Sequence, residues 1–254
     1  MVKANAPQLS DLEVQLKESI IKISTPDLYR QNSFQRLSLP TDATLREIAK
    51  RQQLIEIGMK TGAPIPSTSG PTLVLDPLSD PFALEETIQR LRIPELRILD
   101  EIFWFWPPSL NGGNHSDPGL DFLNQGDKQQ AMKFWKLKIA LNNCDGITLH
   151  NLAILSHIMV LELEYDRLQK KEDLRNPIEI NNQWKECCNY WKKLDETEEF
   201  WIRLNNRIRQ INDPRLTTGS GRRIRSMITL VIILTQARLA LMFAEAGQLV
   251  EASR

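Results

Sequence analysis

The chain has 254 residues, 41% of them hydrophobic and 25% charged, proportions of a folded globular protein and not of a disordered one. Lysine plus arginine and aspartate plus glutamate both number 32, so bulk charge offers no pull toward nucleic acid or an anionic membrane, and any such binding must come from a local patch. The three cysteines, Cys144, Cys187 and Cys188, are too few and too oddly placed for a disulfide framework, which fits a reducing, cytoplasmic setting.

The opening residues carry acids early and lack the apolar core of a targeting peptide. Leu9, Leu12, Leu16, Ile20 and Ile23 then recur every three or four positions, which predicts an amphipathic lead-in helix within 1–26. Thr25-Pro26-Asp27 breaks it. A short helix from Asp27 to about Leu37 is expected next, then a turn at Pro40-Thr41-Asp42. Thr44 followed by Glu47 is a capping box, in which each side chain satisfies the other residue's free backbone N–H. It opens a second helix to about Thr61, with Leu45, Ile48 and Leu54 on its apolar stripe.

The density of proline and glycine over 62–81 prevents helix continuation and predicts an exposed loop. Asp80 and Pro81 suit the N-cap and first position of the next helix, whose apolar face is Phe82, Leu84, Ile88 and Leu91. Ile93-Pro94-Glu95 starts another, with Leu96, Leu99, Ile102, Phe103, Phe105 and Trp106 facing inward until Pro107-Pro108 ends it. The aromatic run in EIFWFWPP reads as core, because each ring buries a large area.

The turn-rich stretch 111–118 marks the expected domain boundary. Beyond it, helices are predicted at Leu120 to Asn142, Thr148 to Gln169, Pro177 to Leu194, from a second capping box at Asp195–Glu198 to Ile211, and from about Arg222 to Val250. The apolar stretch from Met227 to Ala246 is interrupted by polar residues and reads as a buried helix of a soluble core, with no membrane partner. Strand-like alternation is absent. The expected fold is all-α: a small helical domain at 27–108, and a bundle or helix-hairpin array over 119–254 that is only loosely tetratricopeptide-like, since no regular period recurs.

From about Leu28 to Trp106 the chain resembles a J-domain, the small helical domain of DnaJ-type co-chaperones. The resemblance rests on SFQRLSLPTDATLREIAKR, with Leu37, Leu39, Asp42, Ala43, Thr44, Glu47 and Ile48 at matching places, and on Phe82, Ile88, Leu91, Pro94, Glu95, Arg97 and Asp100 further on. The family's activating His-Pro-Asp tripeptide is missing: the histidines are His115, His150 and His157, and none precedes a proline. What the resemblance implies is a degenerate J-like domain that does not stimulate an Hsp70 ATPase by the usual route. Arg46, Lys50, Arg51 and Lys60 on its second helix would correspond to the family's basic Hsp70-facing surface, with ordinary solvated helical charge as the alternative.

The remaining candidates for chemistry are weak. His150 and His157 lie seven residues apart, about 10 Å along a helix, too far to share one metal ion, and read as core or rim residues. Cys187 and Cys188 read as one buried and one partly exposed thiol. The segment from Gly219 to Arg225 superficially resembles a phosphate-binding loop without its Lys-Ser/Thr ending; Arg222, Arg223 and Arg225 still form a candidate anion patch at a helix start. The acids at 195–199 suit a helix N-terminus, and no acid/base or nucleophile set is readable. The expectation is a non-enzymatic adaptor with no cofactor and no metal, binding a protein partner such as an Hsp70-type chaperone or a larger assembly. Two alternatives stand beside it: a co-chaperone recruiting an Hsp70, and a helical nucleic-acid binder using Arg203, Arg207, Arg209, Arg215 and the three arginines of the candidate patch.

Overall fold

The structure, a computed structural model, describes residues 9–63, 81–108, 117–141, 145–169, 177–217 and 219–248. The protein is all-α: every regular element among the described residues is a helix. These are α1 (Leu9–Ile23), α2 (Ser33–Leu37), α3 (Leu45–Thr61), α4 (Pro81–Arg92), α5 (Pro94–Ile102), α6 (Pro118–Asn124), α7 (Lys128–Ala140), α8 (Gly146–Leu168), α9 (Pro177–Asp195), α10 (Glu198–Ile211) and α11 (Ser220–Glu245). Several expectations fall outside the described residues: most of the 62–81 loop with Asp80, the 111–116 turn with His115, Cys144, and the chain after Gln248.

Local signals account for the ends of α3. Thr44 Oγ1 accepts from Glu47 N at 3.2 Å while Glu47 Oε2 accepts from Thr44 N at 2.6 Å, the expected reciprocal cap. Gly62 closes the helix at φ +69°, a left-handed conformation that glycine adopts without strain.

Four elements differ from expectation. The helix expected from Asp27 shrinks to α2, because Asn32 is a better N-cap: its Oδ1 accepts from Phe34 N at 3.0 Å, while the residues before it form turns. The stretch expected as one helix from Leu120 is two, α6 and α7, parted at Gly126 with φ +80°. The capping box at Asp195–Glu198 does not form. Helix α9 runs through Asp195, Thr197 becomes the N-cap of α10, and its hydroxyl turns back to Lys193 O at 2.7 Å. Finally, α5 ends at Ile102, so the chain leaves the helix through a turn at Phe103 and a bend at Trp104, and Phe103 to Trp106 cross the interior as an irregular strap.

Helix α8 is the axis of the molecule. It packs on α7, α9 and α10, and 89% of its most apolar stretch is buried. Helix α11 is as long and apolar as a membrane-spanning segment, yet only 33% of its most apolar stretch is buried. Before the expected boundary, α4 packs on α2, α3 and α5; α1 packs on both α5 and α11. The hydrophobic core is continuous across that boundary, running from Ile20, Phe34 and Ile88 through Phe103 to Trp106 to Leu152, Phe200 and Phe243.

Candidate functional site

The strap Phe103-Trp104-Phe105-Trp106 is at most 1% exposed. Phe103 N and Trp104 N still donate back into α5, to Leu99 O and Glu101 O at 3.1 and 3.4 Å; the other backbone groups at that depth need partners that a helix would supply internally. Side chains from distant elements provide them. Asn32 Nδ2 donates to Asp100 O and Phe103 O at 2.8 and 3.2 Å, and Thr41 Oγ1 donates to Phe105 O at 3.2 Å. Asn151 on α8 clamps Trp106 from both sides, accepting from its N and donating to its O, each at 2.9 Å. His150 Nε2 meets Ile102 O at 2.7 Å, and Arg203 donates to Pro107 O and Pro108 O at 2.6 and 2.8 Å.

Beside the strap is a buried ionic junction. Glu101 Oε1 accepts from Arg97 Nε at 2.8 Å. Arg207 of α10 donates through Nε to Glu101 Oε2 at 2.8 Å and through Nη2 to Oε1 at 2.9 Å. The same guanidiniums reach the turn before α3: Arg207 Nη2 donates to Thr41 O at 3.1 Å, and Arg97 Nη2 to Ala43 O at 2.5 Å. One carboxylate between two cations satisfies the geometry that a buried charge requires. The junction locks the turn that opens α3 onto α5 and α10, 106 residues away from Glu101 in the case of Arg207.

This fixes which face of α3 is presented. Leu45 and Ile57 are 65% and 56% exposed. Arg46, Lys50 and Lys60 are exposed with them and form no ion pair among the described residues. Arg51 is different and does not belong to the basic surface: it is 7% exposed and donates from Nε to Leu37 O at 2.7 Å, tying α3 to the end of α2. At the start of α3 lies a cleft of about 480 Å³ whose lining includes Arg46, Arg92, Arg207, Arg215 and Asp42. Asp213 already grips Arg215 at 2.7 Å. Burial raises the Asp42 carboxyl above the ordinary carboxylate range. Arg46 and Arg92 remain at its rim as exposed cations with no ion pair among the described residues. The cleft's chemistry is that of donors for carboxylates.

The other candidate residues are structural in placement. His150 and His157 are fully buried. Burial pushes His150 down to about 4 and His157 down to about 3, so both are neutral in ordinary buffers and withdrawn from any ligand. Tyr29 Oη lies 2.8 Å from His157 Nδ1. Cys187 is buried, its thiol pushed up by desolvation, and Cys188 is exposed. Among the described residues no His/Cys/Asp/Glu group is arranged to hold a metal.

The three arginines of the candidate anion patch do not converge. Arg225 is held by Asp195 at 3.0 Å and Glu198 at 2.6 Å and lies over the Trp201 ring. Arg223 donates to Thr217 Oγ1 at 2.9 Å, and only Arg222 is open. Of the arginines that would form a nucleic-acid face, Arg203 and Arg207 serve the strap and the junction, Arg215 is paired, and Arg209 donates to Asn206 Oδ1 at 3.1 Å.

Sequence reasoning missed Asn32, Glu101, Asn151 and Arg92. Only Asn32 carried a local signal, that of an asparagine one residue before a helix. No protein-family model, curated protein or solved structure matches this chain.

Proposed function

We propose that the chain is a non-enzymatic adaptor whose J-like segment acts as a rigid docking surface for a protein partner. The docking surface is the outer face of α3 together with the arginine rim at its start. The observation that carries this reading is the pairing of a locked turn with an unsatisfied surface. Glu101, Arg97 and Arg207 hold the opening of α3 in place, while Arg46, Lys50, Lys60 and Arg92 stand exposed beside Leu45 and Ile57, without an ion pair among the described residues. Preorganised cations with apolar neighbours favour an acidic, partly apolar protein surface, and fixing the scaffold beforehand lowers the entropy cost of binding.

The test is quantitative co-purification from native lysate with the wild type and with Arg46→Glu/Lys50→Glu/Lys60→Glu. The adaptor reading expects one stoichiometric protein to be recovered with the wild type and lost with the variant, whose exposed positions leave the fold intact. A single-turnover assay with a cognate Hsp70 separates the co-chaperone reading. No acceleration of ATP hydrolysis is expected; acceleration that disappears in the triple variant would replace the adaptor by a co-chaperone acting without the tripeptide.

A further inference from the structure

Helix α11 turns an uncharged, largely apolar face to solvent. Leu230, Ile233 and Leu241 are 42%, 55% and 61% exposed; Ala237 is exposed between them and Ser226 is exposed one turn before Leu230. From Ser226 to Ala244 the only charged residue is Arg238, and its guanidinium turns inward to donate to Ser24 O at 2.9 Å. The stripe ends in opposite charges: Arg222 at the start and Glu245 at the finish, both exposed and without an ion pair among the described residues. At 3.6 residues per turn these side chains fall within an arc of about 140°.

The stripe is a palindrome of size and charge. Centred on the Ile233–Leu234 peptide, Leu230 is the counterpart of Ala237, Ser226 of Leu241, and Arg222 of Glu245. Leu230 and Leu241 are each balanced by a small side chain, Ile233 and Leu234 flank the centre, and the cation is balanced by the anion. A two-fold interface demands this of one surface, because position i meets position j and j meets i.

We infer that the outer face of α11 pairs antiparallel with the same face of a second copy of this chain, independently of the docking surface on α3. Leucines 230 and 241 of one copy fill the gaps left by Ala237 and Ser226 of the other, in the manner of ridges entering grooves, and Arg222 of each reaches Glu245 of its mate. The isolated helix offers about 400 Å², from a length of about 39 Å and a width of about 10 Å, against the roughly 800 Å² that a stable complex takes from each partner. Half the usual area makes a weak contact. The dimer is therefore expected to be reversible and concentration-dependent. A lipid surface is a poorer match, since it rewards basic residues on such a helix and not a cation at one end with an anion at the other.

Sedimentation velocity of the full chain over a wide concentration range tests this. The mass is expected to rise from the 29.3 kDa of the monomer to twice that value. Ala237→Glu would bury a carboxylate against Leu230 of the other copy and should weaken association about a hundredfold or more, with the helical circular dichroism and melting temperature kept because Ala237 is exposed. Arg222→Glu alone and Glu245→Arg alone should each weaken it about two- to five-fold. Combining them restores complementarity and should return the wild-type constant. A monomer at every concentration overturns the proposal, as does a dimer indifferent to Ala237→Glu. Failure of the double charge swap to rescue overturns the antiparallel register. A monomer that binds neutral phosphatidylcholine vesicles through this face assigns the stripe to membranes instead.

Discussion

Glu101 on α5 and Arg207 on α10 form a two-pronged ion pair at 2.8 and 2.9 Å, with Glu101 and Arg207 side chains only 1% and 9% exposed. Arg97 completes the group from one helical turn away on α5 at 2.8 Å. Glu101→Gln removes the charge that both guanidiniums need and should cost about 3–5 kcal/mol, because two buried cations lose their counterion. Arg207→Met should cost less, since Arg97 still neutralises Glu101 and the methionine fills part of the space. Urea denaturation of both variants checks the order; a neutral Glu101→Gln would show that the junction does not bear on stability.

Asn151 offers a cleaner test of the strap. Its amide both accepts from and donates to Trp106 at 2.9 Å. Asn151→Leu keeps the volume and removes both bonds, leaving two buried backbone groups without partners, at about 1–3 kcal/mol each. Asn151→Asp keeps the acceptor but sets an anion against the Trp106 carbonyl, and should be the worse of the two. Thermal melts with near-ultraviolet circular dichroism of the tryptophans will rank them.

Acid should unfold the protein through its two core histidines. Their pKa values fall from the ordinary 6.5 to about 4 for His150 and about 3 for His157, because burial strips water from the charged imidazolium; His150 Nδ1 and His157 Nε2 are also buried without a hydrogen-bond partner among the described residues. Between these values and 6.5 the unfolded chain binds more protons than the native one, so stability is full above 6.5 and falls as pH is lowered. The slope approaches about 1.4 kcal/mol per pH unit for each histidine. His157→Gln should halve the slope between pH 6 and 5; an unchanged slope would assign acid sensitivity to other groups.

Gly119 marks a close approach of α6 to α7. A Cβ there would lie 2.3 Å from Trp135 Cε2 and Nε1, and Trp135 is fixed in turn by Asp117, which accepts from its indole at 3.1 Å. Gly119→Ala should therefore destabilise by about 1–3 kcal/mol, although alanine ordinarily favours a helix. Gly126→Ala, where nothing lies within 4 Å but φ is +80°, should cost less and act only through backbone strain.

Short-range features of this fold were legible in the sequence. The capping box at Thr44, the burial of His150 and His157, the split between Cys187 and Cys188 and the all-helical class each depend on residues a few positions apart. Two local readings failed because a neighbour competed: Asp195 stayed in α9, and Asn32 outbid Asp27 as a helix start. The strap and the junction were not legible. Phe103 to Trp106 carry the apolar spacing of a helix, and it is Asn32, Thr41 and Asn151, contributed from far along the chain, that make a non-helical path tolerable. Arg51 and Arg207 likewise read as surface charge, since nothing nearby in sequence reveals that Leu37 O or Glu101 waits for them.

The strap also constrains the order in which the protein can be made. Its anchors lie on both sides of it in the chain: Asn32 and Thr41 leave the ribosome first, and His150, Asn151 and Arg203 long afterwards. The aromatic run therefore cannot be fully anchored until α10 has been synthesised. Final locking of the strap is a late event, completed by a residue translated 96 codons downstream.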